Sequence, residues 1–241
     1  MGIACPGFLV DAVPGLCRTF DAYCERTSDA LDAEPLNALT NIGMLVAAFA
    51  AMRLQRRRPN RDAAGLIVAM VTAIVAGGVG AFLFHTTAAV WAVVLDMLPF
   101  LIFMLLVLWL TLTRFFGWTA AMAAAGIAAF IGVMVGGGML IPQGFVPAGA
   151  YYLPPLAVLS VVGVVLLLRR SPAGPSYFSA ALVFAAAFTA RELDGPLCET
   201  IPVGTHFLWH LLAAVLAFIL IRAAVLYAPP RKQGNKVTRA A

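Results

Sequence analysis

The chain holds three histidines, His85, His206 and His210, and their placement points to shared chemistry. His206 and His210 are spaced i, i+4, which projects both imidazoles from one helix face. His85 ends an apolar run, and Asp96 follows 11 residues later across a short turn. Three imidazoles beside a carboxylate form the donor set of a catalytic zinc site, because three nitrogens leave the fourth tetrahedral position for water. Zinc brings such a water towards a pKa of ~7, and a neighbouring carboxylate can take and return its proton. An ionisable group at membrane depth is costly and marks function. His85, His206 and His210 therefore read as metal ligands and Asp96 as the catalytic carboxylate. A bis-histidine haem fits poorly, since i, i+4 ligands on one helix cannot flank a haem plane. A structural metal, or proton or ion translocation, is also compatible with these residues.

The elements that must carry these groups are very apolar. Of 241 residues, 62% are hydrophobic and 11% charged, whereas a soluble domain runs near ~25% charged. That balance excludes a soluble enzyme, a disordered chain and a disulfide-rich miniprotein. A spanning helix uses roughly 20 apolar residues. Seven runs qualify: Leu36–Leu54, Ala63–Phe84, Val90–Leu112, Trp118–Leu140, Ala148–Leu168, Tyr177–Arg191 and Thr205–Tyr227. The expected fold is an all-α, seven-transmembrane-helix bundle spanning 36–227, with an N-terminal segment over 1–35 and a basic tail over 228–241. The turn between the second and third spans is expected near His85, Thr86 and Thr87. Pro99 should kink the third span. Asn37 and Asn41 read as interhelical hydrogen-bond partners, Arg191 and Asp194 as an ion pair, and Trp91, Trp209 and Tyr227 as interfacial aromatic belts.

The scarce charge is sorted along the chain. Thirteen of the 16 basic residues fall at one set of span ends, from Arg53 and Arg56–Arg58 through Arg114, Arg169 and Arg222 to the tail. The other ends keep Arg18, Arg26 and Arg191 with ten of the 11 acids. By the positive-inside bias this places the C-terminus in the cytoplasm and the N-terminus outside. The net charge of +5 is then a topology signal and calls for no nucleic acid. The first 35 residues lack the basic start and unbroken apolar core of a signal peptide. Cys5, Cys17, Cys24 and Cys198 all map to the outer side, where disulfides persist, and four cysteines allow three complete pairings.

Several motifs together resemble the alkaline ceramidase family, and more specifically its bacterial members. They are Tyr23-Cys24-Glu25-Arg26, Ala33-Glu34-Pro35-Leu36-Asn37 with Thr40-Asn41, Gly80 through Phe84-His85, Asp96-Met97-Leu98-Pro99, Arg191 with Asp194 and Cys198, and His206–His210. They fall in order over nearly the whole chain. The family belongs to a seven-span hydrolase superfamily that includes the adiponectin receptors. The resemblance implies a zinc amidohydrolase of a bacterial inner membrane that cuts the N-acyl bond of ceramide or a related lipid amide, releasing a fatty acid and a sphingoid-type amine. It implies zinc ligation by His85, His206 and His210, catalysis by Asp96, an active site towards the outer face, and a Cys24–Cys198 disulfide. Membrane lipids are expected neighbours; no obligate protein partner is evident.

Two departures from the family pattern stand out. Where the family places a serine four residues before the first zinc histidine, this chain has Ala81. Eukaryotic members bind calcium through an acidic N-terminal motif. Glu25 and Glu34 match two of those ligands, while the aligned aspartate position is Ala22, with Asp21 beside it. Asp21, Glu25 and Glu34 are therefore calcium candidates. The loss of the serine also admits an alternative reading, a non-catalytic lipid-binding receptor or sensor whose zinc is structural.

Overall fold

Long stretches of Ala, Leu, Val and Ile favour helix, and a hydrocarbon environment demands it, because a helix satisfies its own backbone polar groups. The computed structural model describes residues 5–19, 21–140 and 149–230, and they form helices with no β-strand among them. A short α1 (Gly7–Ala12) and a 3₁₀ turn (Pro14–Cys17) precede α2 (Pro35–Thr40), which runs through Asn41 into α3 (Ile42–Arg57). Then come α4 (Ala64–Thr87), α5 (Val90–Leu110) with a π-turn at Thr111–Phe115, and α6 (Ala120–Leu140). They are followed by α7 (Leu153–Leu168), α8 (Gly174–Glu192), the single turn α9 (Asp194–Leu197) and α10 (His206–Tyr227).

Five of these stretches are long and apolar enough to cross a membrane: Pro35–Arg57, Ala64–Thr87, Val90–Phe115, Ala150–Leu168 and His206–Tyr227. Large apolar side chains face outward along them, such as Phe49, Val46, Val161 and Leu168, a surface that water would not tolerate and lipid solvates. The chain is an all-helical membrane protein. The other two expected spans correspond to α6, whose described apolar part is the shorter Ala120–Gly136, and to α8, whose composition is diluted by Ser176, Ser179, Thr189, Arg191 and Glu192. The expected start of the fifth span at Ala148, and the tail from residue 231, lie outside the described residues.

The helices position one cluster. α10 is the most buried of the five long apolar stretches and packs on α8 and α3, while α4 packs most closely on α5. The α4–α5 turn falls one step later than expected, at Ala88–Ala89, since α4 continues to Thr87. Ala88 adopts φ 50°, a left-handed cap that lets its N–H reach the Phe84 carbonyl at 2.7 Å. The N-terminal segment pins this turn through Val90 N–H, which donates to Arg18 O at 3.0 Å.

Pro99 sits inside α5 and cannot donate to Leu95, four residues earlier, so it frees that carbonyl. The freed Leu95 carbonyl packs on Gly80 of α4, where any Cβ would overlap it. This close approach brings Asp96 of α5 next to the His85 end of α4. At the opposite end, Asn60 closes the bundle by donating from Nδ2 to the carbonyls of Ala224 and Ala228 at the end of α10, at 3.2 and 2.9 Å.

Candidate metal centre

The C-terminal turn of α4 and the first two turns of α10 bring the three histidines together. One ring nitrogen of each of His85, His206 and His210 lies within 4.8 Å of the others, and all three residues are buried. His210 Nε2 and His85 Nε2 are 2.9 Å apart. His206 Nδ1 is buried without a hydrogen-bond partner. Buried polar atoms are rarely left unpaired, so nitrogens converging in this way mark a place where a further ligand completes the site.

Two of the imidazoles are held by neighbouring side chains. Glu34, just before α2, lies with Oε2 2.6 Å from His85 Nδ1. A carboxylate at that nitrogen retains the proton there and leaves the Nε2 lone pair facing the cluster. Burial works to raise the pKa of Glu34, yet His85, Arg26 and Asn37 together hold the carboxyl below its usual range. The Tyr23 ring stacks on His206, with centroids 3.6 Å apart and planes 14° apart, and burial pushes the Tyr23 phenol up.

Asp194 sets the start of α10. Its Oδ1 accepts the backbone N–H of Thr205 at 2.7 Å and of His206 at 2.8 Å, while Oδ2 accepts Cys24 N–H at 2.9 Å. Gly204, at φ 67°, turns the chain into this cap. Asp194 therefore does not pair with Arg191, as the sequence suggested. Its charge is spent on backbone donors at a helix N-terminus, and Arg191 instead meets Glu192 Oε1 at 2.5 Å. Cys24 and Cys198 are joined beside this cap, and Cys5 is joined to Cys17, which selects one of the three pairings. The Cys24, Asp194 and Cys198 group is thus no metal site, because its sulfurs are bonded to each other.

His206 and His210 each line a cavity. One of about 530 Å³ is lined by Tyr23, Asp96, Tyr151, Arg191 and His206. A second, of about 450 Å³, is lined by Asn41, Ala81, Asp96 and His210. Both share Asp96, Met97, Tyr152 and Trp209. The second meets, at Phe100, an apolar cavity of about 550 Å³ between α5, α7, α8 and α10. Asp96 lines both of the first two cavities.

Two roles expected from sequence change here. Trp209 is not at an interface; it is 7% exposed and packs on Tyr152 at 4.6 Å. Asn37 and Asn41 bond within their own segment, Asn37 Nδ2 to Glu34 Oε2 and Asn41 Nδ2 to Asn37 O. Arg26 escaped the sequence reading as a site residue. It entered there only within the Tyr23-Cys24-Glu25-Arg26 motif and as a basic residue among acids on the outer side.

The donor set suits zinc: three buried imidazoles, one fixed by a carboxylate behind it, with room opposite for water. The calcium candidates are not gathered in the same way. Glu25 accepts the N–H groups of Leu36 and Asn37 at 2.6 and 2.8 Å and so caps α2, while Asp21 is exposed. Glu34 is spent on His85, Arg26 and Asn37. Calcium needs six to eight oxygens, and among the described residues these three carboxylates do not form a cluster of donors. Neither a curated protein nor a solved structure matches the chain. The family model described as Ceramidase matches residues 22–238, and the chain therefore belongs to the ceramidase family.

Proposed function

We propose that the chain is a zinc-dependent integral-membrane amidohydrolase. It cleaves the N-acyl bond of ceramide or a related lipid amide to a fatty acid and a sphingoid-type amine. The observation that carries this reading is the convergence of three buried imidazoles within 4.8 Å beside cavities shared with Asp96. Family membership supports an amide-cleaving hydrolase.

In this reading His85, His206 and His210 hold the ion. When bound, it supplies Lewis acidity to the amide carbonyl and to a water. Asp96 takes the proton released as the water oxygen bonds to the acyl carbon, and delivers it to the amine nitrogen as the carbon–nitrogen bond breaks. Glu34 holds the His85 ring in one tautomer. Tyr23 fixes the plane of His206. Trp209 and Tyr152 narrow the throat and exclude water, while the apolar cavity accepts an acyl chain.

The reading takes residues 36–227 as a seven-helix hydrolase domain, adding α6 and α8 to the five long apolar stretches, in a bacterial inner membrane. The histidines, Asp96 and Glu34 lie at the helix ends opposite Arg56, Arg57, Arg114 and Arg222. By the positive-inside bias that end is the outer face, with residues 1–35 outside and the tail in the cytoplasm.

Purified protein incubated with zinc and a fluorescent N-acyl lipid tests the reading. Turnover that disappears in His206→Ala and Asp96→Asn is the expected result; no turnover of any lipid amide by zinc-loaded protein overturns it. Ala81 favours a second reading, a lipid-binding receptor with a structural metal, and that reading predicts stoichiometric zinc without turnover.

A further inference from the structure

Arg26 is 8% exposed, and each of its three guanidinium nitrogens donates a hydrogen bond. Nε donates to Glu34 Oε1 at 2.5 Å and Nη2 to the His85 carbonyl at 2.9 Å. Nη1 donates to the carbonyls of Ser28 and Ala30 at 3.3 and 3.4 Å. The guanidinium therefore sits inside a cage of one carboxylate oxygen and three backbone carbonyl oxygens. Carboxylate and carbonyl oxygens are the donors that hold a hard divalent cation. Here the cation is part of the chain.

Its position has a consequence for the histidine cluster. Glu34 is 2% exposed, and a buried carboxylate is stable as an anion only when a cation and hydrogen bonds offset its desolvation. Arg26 provides that offset on Oε1, leaving Oε2 aligned with His85 Nδ1 at 2.6 Å. The same guanidinium holds the His85 main chain through its carbonyl, so the ring and its carboxylate are fixed by one planar fork. Asn37 Nδ2 completes the set on Oε2 at 3.1 Å.

We infer that Arg26 is a resident cation and a positioning residue. It holds Glu34, and through Glu34 the His85 imidazole, in the geometry that binds metal, so that no calcium ion is needed in this cage. The inference rests on the reading of His85 as a zinc ligand. Loss of the fork leaves an oxygen cage around an uncompensated Glu34, which an added divalent cation can enter.

The test measures zinc affinity of the 241-residue chain in detergent, by competition with a chromophoric chelator, with and without millimolar calcium. Wild-type protein is expected to bind one equivalent, with the same affinity in calcium and in a calcium chelator. Arg26→Gln is expected to weaken zinc about 10- to 100-fold, the range for loss of a group that orients a metal ligand. Arg26→Lys, which keeps the charge without the fork, is expected to fall between them. In Arg26→Gly, calcium is expected to recover part of the loss. A wild-type affinity that depends on calcium overturns the inference, as does an Arg26→Gln affinity within about twofold of a wild type that binds one equivalent. Wild-type protein that binds no zinc overturns the zinc reading and this inference together. Should Arg26→Gln fail to fold, an Arg26→Lys affinity equal to wild type or more than about 100-fold weaker overturns the inference, since the loss of the fork alone is expected to cost an intermediate amount.

Discussion

The Leu95 carbonyl, freed by Pro99, lies where a β-carbon on Gly80 would have to go. The contact is backbone to backbone, so neither partner can rotate away. It sets how closely α4 and α5 approach, and therefore where Asp96 stands relative to His85. Gly80→Ala is expected to force the helices apart and cost about 1–3 kcal/mol, as overpacking does. Lipid-amide turnover should fall more steeply than zinc content, because both ends of α4 stay anchored while Asp96 is displaced. Thermal midpoint, zinc per chain and turnover measured on one preparation check this; a variant that keeps wild-type turnover refutes it.

Asp194 makes a second prediction. Its carboxylate accepts three backbone N–H groups, two of them at the start of the helix that carries His206 and His210. Asp194→Ala leaves buried donors unpaired and removes a helix cap, a combined loss of about 2–4 kcal/mol. Asp194→Asn keeps one acceptor oxygen and should lose less. Because the cap positions His206, zinc affinity is expected to fall in the same order, Ala below Asn below wild type. Equal zinc affinity in all three proteins would show that the cap serves stability alone.

The two disulfides should differ in weight. Cys24–Cys198 ties the N-terminal segment to the α9 region across 174 residues, which in the chain-entropy model is worth up to about 5 kcal/mol. It also anchors the segment that bears Tyr23 against His206. Cys5–Cys17 closes only 12 residues of a peripheral segment. The Cys24→Ser, Cys198→Ser double variant is therefore expected to lower both the thermal midpoint and the zinc affinity. The Cys5→Ser, Cys17→Ser double variant should leave zinc affinity near wild type. The opposite ranking would contradict the contacts around Tyr23.

What the sequence made legible follows from how local each signal is. Apolar runs mark helices whatever their neighbours, and Pro35–Arg57, Ala64–Thr87 and His206–Tyr227 lie within a few residues of their expected bounds. The histidines stood out because all three in the chain lie at span ends and two share a helix face. The partners of charged groups were not legible. Arg191 and Asp194 are neighbours in sequence, but Asp194 turns to backbone donors that a loop brings back 11 and 12 residues later. Glu34 reads as a cation ligand until folding sets His85, 51 residues away, against it. Trp209 follows the pattern of an interfacial aromatic, and only the packing of Tyr152, Phe100 and Phe184 around it makes it a cavity wall.

Ala81 yields the most direct test of catalysis. It is 3% exposed and lines the cavity that also holds Asp96, Asn41 and His210. In the proposed reaction, a hydroxyl at this position would add a donor to the cavity wall shared with Asp96 and His210, where charge develops on the carbonyl oxygen. A single preorganised donor of that kind is worth about 10²–10³ in kcat. Some of that gain is forfeited, because a serine in a helix also bonds the carbonyl four residues back, here Gly77. Ala81→Ser is therefore expected to raise kcat by about 10-fold or more, with KM little changed, since the donor acts in the transition state rather than on bound substrate. Ala81→Val, which adds volume without a donor, should not raise it. If kcat is unchanged in Ala81→Ser while zinc stays at one equivalent, the cavity already supplies the donor from another residue, and the hydroxyl missing from this position is no defect.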